Sequence, residues 1–163
     1  EARTAEAHGV RVVRLRTALV LAAAGGALVP IVLPFKFFLG GTMGRAGQWV
    51  SWIHLDDEVG LIRLALENAS LHGPMNAVAP ESVTMEEFCR TIGRILRRPS
   101  WLPGVAIGMK LLLREQSSLL LASQRVMPKV AERAGYQFRY PTHEVALRAV
   151  LRQEGDAAVT RVA

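Results

Sequence analysis

The chain contains a single cysteine, Cys89, which excludes an internal disulfide and any zinc site built from cysteines. Cys89 falls on the apolar side of a predicted helix, the setting of a buried and unreactive thiol. The first residues, Glu1 to Glu6, lack the apolar stretch of a signal peptide, and with the lone thiol this points to a reducing, cytoplasmic setting. Internal repeats and low-complexity tracts are missing as well. Lysine is scarce, with 3 lysines beside 17 arginines among the 20 basic residues. Half of the 163 residues are apolar, enough to bury a core, so a disordered chain is excluded. The net charge of +6 and a pI near 10.4 suit nucleic acid or anionic lipid. Compensating acid elsewhere in a larger protein is the preferred explanation.

The longest uncharged run, Thr17 to Phe35 between Arg16 and Lys36, approaches the length of a membrane span. Gly25, Gly26, Pro30 and Pro34 would break such a helix, and the run opens strand-like. A strand, a glycine turn and a short apolar helix are predicted instead, and no membrane partner.

Residues 1–8 read as the end of a helix, released by Gly9 into a strand over Val10–Arg16 that Thr17–Leu21 either extends or leaves. Val50 to His54 is a second strand. Asp56 or Asp57 caps the helix after it, with Leu55, Val59, Ile62 and Leu66 at the spacing of one buried face. Met75 to Ala79 is a third strand. Thr84 and Glu87 have the spacing of a capping box for the next helix, whose stripe is Met85, Phe88, Cys89, Ile92, Ile95 and Leu96 and which Pro99 stops. Pro103–Leu121 is apolar on nearly all sides and should be a covered helix. A short helix over Gln124–Ala134 closes at Gly135, Tyr136–Tyr140 is a small strand, and Thr142 caps a last helix. Strands alternating with helices and then a run of helices predict an α/β sheet giving way to a helical lobe. Three strands cannot make a parallel sheet covered on both faces, so more of the sheet is expected upstream.

Gln48-Trp49-Val50-Ser51-Trp52-Ile53-His54-Leu55-Asp56-Asp57 is the most informative stretch, because chemistry in α/β proteins gathers where a strand meets a helix N-terminus. The glycine pattern before it, Gly41-x-x-Gly44-x-x-Gly47, is followed by strand-like residues rather than a helix, so it does not make a dinucleotide turn. His54, Asp56 and Asp57 invite a metal or acid–base role. No further ligand stands at the right spacing, and capping is the simpler role, so no metal site and no catalytic residue are assigned. Arg90, Arg94, Arg97 and Arg98 form a basic stripe on the Thr84 helix. Glu86 and Glu87 interrupt it, which favours a solvated face over nucleic-acid binding.

Five segments carry a resemblance to a known family: Gly9–Thr17, Gly40–Gln48, Trp52–Asp57, Gly73–Ala77, and Leu121–Lys129 with Gly135–Pro141. Together they resemble the C-terminal half of extended short-chain dehydrogenase/reductases of the epimerase/dehydratase type, in particular epimerase-family proteins that end in a small helical domain of unknown function. The resemblance implies the C-terminal part of a Rossmann-like NAD(P)-binding domain over 1–80. It further implies a helical substrate-side domain over 81–152, while residues 153–163 by themselves read as a flexible tail. NAD or NADP would be bound mainly by an N-terminal half, which is the chain's own expected partner along with a small-molecule substrate. Arg16, Thr17, Ala18 and Leu19 would pass beside the nicotinamide. Neither Tyr136 nor Tyr140 has a lysine four residues on, so the family's Tyr-x-x-x-Lys pair cannot be drawn and the chain alone is expected to be inactive. Nucleotide-sugar enzymes of the superfamily usually place an arginine at Val50 to grip the diphosphate, and a valine cannot do so. The resemblance therefore implies a substrate that is not a nucleoside-diphosphate sugar, with Gln48, Trp49, Val50, Trp52 and His54 on its side of the crevice. The alternatives are a non-enzymatic helical interaction module using Pro103–Leu121, or a basic nucleic-acid- or membrane-associated protein.

Overall fold

Gly9, at φ +78°, ends helix α1 (Ala2–Ala7) and turns the chain into strand β1 (Val13–Thr17). The computed structural model describes residues 2–23, 25, 28–42, 47–100 and 125–160. The predicted Pro103–Leu121 helix and Gly44 of the glycine pattern lie outside them. Strand β1 pairs in parallel with β5 (Gly73–Ala77), from Val13 opposite Gly73 to Thr17 opposite Ala77. Strand β2 (Leu19–Leu21) follows after one residue and pairs in parallel with β4 (Trp52–His54) instead.

Three backbone bonds show how the change of partner is made. Ala18 N still donates to Ala77 O at 3.1 Å, Leu19 N turns to Ser51 O at 3.1 Å, and Ala79 N donates to Trp52 O at 2.8 Å. Strand β4 is thus wedged between two strands that are paired directly before it. The predicted third strand accordingly ends at Ala77 rather than Ala79. The predicted strand Val50–His54 is also corrected. It breaks at Ser51, and β3 (Trp49–Val50) turns aside to pair antiparallel with β6 (Val83–Thr84).

The uncharged run forms the expected strand and glycine turn, Gly25 at φ +80°, and then helix α2 (Leu28–Lys36). Leu28, Ile31, Val32 and Phe35 of α2 are buried at helical spacing. No helix among the described residues is long and apolar enough to cross a membrane.

Helix α3 (Leu55–Glu67) overturns the expected face. Leu55, Val59, Ile62 and Leu66 are exposed, Leu66 at 70%, while Asp57, Glu58, Leu61 and Ala65 face inward. Polar ties set this rotation. Asp57 is bonded to the 136–140 segment, and Glu58 Oε1 accepts from Thr17 Oγ1 at 2.8 Å. At the far end, Arg11 donates to Ala65 O (2.8 Å), Leu66 O (3.1 Å) and Leu71 O (3.1 Å), placing a cation on the free carbonyls of the helix C-terminus.

Helix α4 (Met85–Leu96) begins as predicted, with Thr84 Oγ1 accepting from Glu87 N at 3.3 Å, and it buries Met85, Phe88, Cys89 and Ile92. It stops before Pro99. Arg97 takes the left-handed conformation at φ 54°, and Arg98 N donates to Gly93 O at 2.8 Å. Because Arg97 is exposed and only its backbone is constrained, Arg97→Gly is expected to stabilise the chain by about 0.5–1 kcal/mol, read from the thermal unfolding midpoint.

The predicted Gln124–Ala134 helix shrinks to α5 (Lys129–Arg133), closed by Gly135 at φ +78°. Tyr136–Tyr140 is not a strand, since the N–H groups of Arg139 and Tyr140 point at Asp57 and cannot join a ladder. Helix α6 (His143–Thr160) runs past residue 152, where the sequence reads as a tail. Glu81 Oε2 accepts from His143 N and pairs with Nδ1, both at 2.6 Å, and His143 Nε2 meets Thr91 Oγ1 at 3.0 Å, joining α6 to α4. One apolar core lies among α2, α4 and α6, around Phe35, Phe88, Ile92 and Leu147. A second lies between α3, β5 and α5, around Ile53, Leu61, Met75 and Ala131.

Candidate functional site

His54, the last residue of β4, is the N-cap of α3 in place of the predicted aspartate. Its Nδ1 accepts from Asp56 N at 3.1 Å, which assigns the ring proton to Nε2. The buried imidazole stacks on Tyr140, with 3.6 Å between ring centres and 22° between planes. Tyr140 in turn donates to Asp56 Oδ2 at 3.3 Å. Burial holds the His54 pKa below its ordinary 6.5, partly opposed by the charges of Asp56 and Asp57.

The unfolded chain therefore takes up this proton before the folded one as the pH falls past 6.5, and acid favours unfolding in the window just below it. The urea midpoint is expected to drop between about pH 7 and about pH 5.5. His54→Asn, which keeps a capping oxygen but cannot titrate, should flatten that slope.

Asp57 is wholly buried and holds the loop after α5. Its Oδ1 accepts from the Tyr136 hydroxyl at 3.1 Å and from Arg139 N at 2.9 Å, and its Oδ2 from Tyr140 N at 3.0 Å. Burial and the nearby Asp57 carboxylate push the Tyr136 phenol up to about 12. Glu58, one residue on, is raised by burial, against the opposing hydrogen bond from Thr17. Nothing local in the sequence marks Asp57 as an anchor, because its partners lie at least 79 residues away. Among the described residues, no three His, Cys, Asp or Glu side chains gather where they could hold a metal ion.

The other predicted residues divide between the interior and an open pocket. Val50 and Trp52 belong to the apolar core, Val50 being only 6% exposed, and Gln48 is buried. Trp49 is half-buried, with the Arg125 guanidinium 4.9 Å above its ring. Thr17 is bonded to Glu58, and the N–H groups of Ala18 and Leu19 are taken by Ala77 and Ser51. Arg16 points to the opposite side of β1 from Thr17, into an open pocket of about 380 Å³ that the sequence did not reveal. Arg125, Lys129, Asn76, Pro74 and Met127 also line it. Two arginines of the basic stripe of α4 have acidic partners, Arg90 with Glu86 at 2.5 Å and Arg94 with Glu144 at 3.4 Å, and Arg98 lies 3.9 Å over Phe38.

Residues 106–150 match the model of a domain of unknown function (DUF1731). The chain is 44% identical over 147 residues to the epimerase family protein YfhF of Bacillus subtilis, covering 90% of this chain and 48% of YfhF. Its fold superimposes with a TM-score of 0.79 on human epimerase family protein SDR39U1 solved with NADPH, at 35% identity over 88% of this chain and 49% of that one. The chain is similar to epimerase-family proteins over nearly its whole length. It spans about half the length of the curated relatives it matches. A nucleoside-diphosphate sugar epimerase from Corynebacterium glutamicum is also similar, with a TM-score of 0.67 and 27% identity over 96% of this chain and 31% of that protein. The Rossmann-like, extended short-chain dehydrogenase/reductase character of the α/β fold rests on these neighbours together with the parallel β1–β5 and β2–β4 pairs.

Proposed function

We propose that this chain is the substrate-side part of an NAD(P)-dependent oxidoreductase or epimerase that acts on a small molecule other than a nucleoside-diphosphate sugar. The observation that carries the reading is the sheet margin. Strand β1 has β5 on one side and, among the described residues, no strand on the other. A parallel strand buried on both faces is the usual state of such a sheet, and a further half of similar length would complete it. The exposed stripe Leu55, Val59, Ile62 and Leu66 of α3, the helix packed on β1, would be covered by the same half.

The residues present fit a dinucleotide at a single point. Thr17, Ala18 and Leu19 have their hydroxyl and N–H groups committed, while Arg16 keeps its guanidinium without a partner among the described residues. A bound nicotinamide would supply or accept a hydride; Arg16 would orient a phosphate of the dinucleotide, and the remaining contacts would belong to the other half. Val50, inside the core, offers no charge to a diphosphate. The name of the Corynebacterium relative runs the other way, and titration with UDP-glucose decides between them.

The chain alone should show no saturable NADPH binding below about 100 μM, whereas a longer protein carrying a strand–Gly-x-x-Gly-x-x-Gly–helix segment ahead of it should bind in the micromolar range. Micromolar binding by the chain alone would overturn the division of the cofactor site.

A further inference from the structure

We infer that the pocket between β5 and the 125–130 segment binds a phosphate or carboxylate group. Arg16, Arg125 and Lys129 supply three cations to its lining, and among the described residues no carboxylate lines it. The contrast with Arg14 is informative. Arg14 stands two residues earlier on the same side of β1 and is paired with Glu6 at 2.5 Å, whereas Arg16 and Lys129 have no acidic partner among the described residues. Three like charges around one cavity repel each other unless an anion joins them.

The wall carrying two of these cations is held in place. Asn76 Nδ2 donates to Met127 O at 3.2 Å, tying the segment to β5, and Val126 N donates to Ser51 Oγ at 3.3 Å, tying it to the β3–β4 junction. Arg125 is steadied over the Trp49 ring. Pro74 and Met127 add apolar walls beside the charges, as a small-molecule site requires. A guanidinium fork suits two oxygens of one phosphate or carboxylate, and fixed donors lose less entropy on binding.

The inference deepens the proposed function by naming the ligand's charge, but it rests on that reading only for the source of the anion: a phosphate of the dinucleotide or an acidic group of the substrate. The test is calorimetric titration of the chain with inorganic pyrophosphate and succinate at constant ionic strength, with NADPH added to the longer protein. Arg16→Ala and Lys129→Ala are compared with Arg63→Ala, whose guanidinium pairs with Glu67 on α3. Pyrophosphate or succinate should bind saturably, about tenfold or more weakly in the two pocket variants and unchanged in the control. Far-UV circular dichroism should be alike for all variants, since the residues replaced are exposed.

Repeated on the longer protein that carries the N-terminal half, displacement of the bound anion by NADPH would identify the dinucleotide as its source; indifference to NADPH at concentrations that saturate the cofactor site would identify the substrate. Absence of saturable binding by either simple anion, or equal weakening in Arg63→Ala, would overturn the inference. The pyrophosphate and succinate arms involve no dinucleotide, so the pocket and the cofactor reading can fail separately.

Discussion

Asp57→Ala is expected to lower the stability of the chain by about 3–5 kcal/mol, a large part of the roughly 5–15 kcal/mol that keeps a domain folded. The carboxylate is fully buried and accepts from one hydroxyl and two backbone N–H groups. Removing it leaves the N–H groups of Arg139 and Tyr140 without their acceptor and the Tyr136 hydroxyl with only the Asp57 carbonyl at 3.3 Å, and the loss of each charge-assisted bond adds to the cavity left by the side chain. Asp57→Asn should fall between the two, because its amide oxygen satisfies one or two donors while its NH2 faces another. Urea unfolding followed by tryptophan fluorescence gives the size of the loss. Limited proteolysis gives its location, with new cleavage expected between residues 134 and 142. A change in stability under about 1 kcal/mol would show that this loop is held by other contacts.

Gly60→Ala should also destabilise, against the ordinary rule for a helix. Replacing glycine by alanine inside a helix normally stabilises by about 1 kcal/mol. Here a methyl group on Gly60 would run into the Tyr136 hydroxyl and the ring carbon that bears it. The ring cannot retreat without losing its bond to Asp57 and its edge contact with Phe138, at 4.9 Å and 83°. A net loss of about 1–3 kcal/mol is expected. Tyr136→Phe removes the oxygen that blocks the methyl, so the double variant should be more stable than the sum of the two single losses predicts. A Gly60→Ala variant that melts higher than the parent chain would contradict the close approach.

Those two residues also show where local pattern ran out. Helix α4 was legible because its capping threonine, its stripe and the buried Cys89 all lie within one short window. The strand–turn–helix resolution of the uncharged run was legible for the same reason, since glycine and proline act on their immediate neighbours. The periodicity of α3 was read correctly as helical and wrongly as to side. Four apolar residues form the stronger stripe, but two buried carboxylates bonded to distant partners decide which face turns inward. The same bonds erased the expected strand at Tyr136–Tyr140. Of the candidate site, the sequence singled out His54 and Arg16 but not the pocket or the role of Asp57. Those depend on residues that meet only after β5 and α5 come together.

The stacking of Tyr140 on His54 has a practical consequence for anyone altering the end of this chain. Replacing residues 136–142 would strip the lid from the imidazole and release the first turn of α3, so damage inflicted there would surface beside the end of β4. A reporter or affinity label intended to be remote from that spot is better attached to the exposed flank of α4 than spliced into residues 134–142.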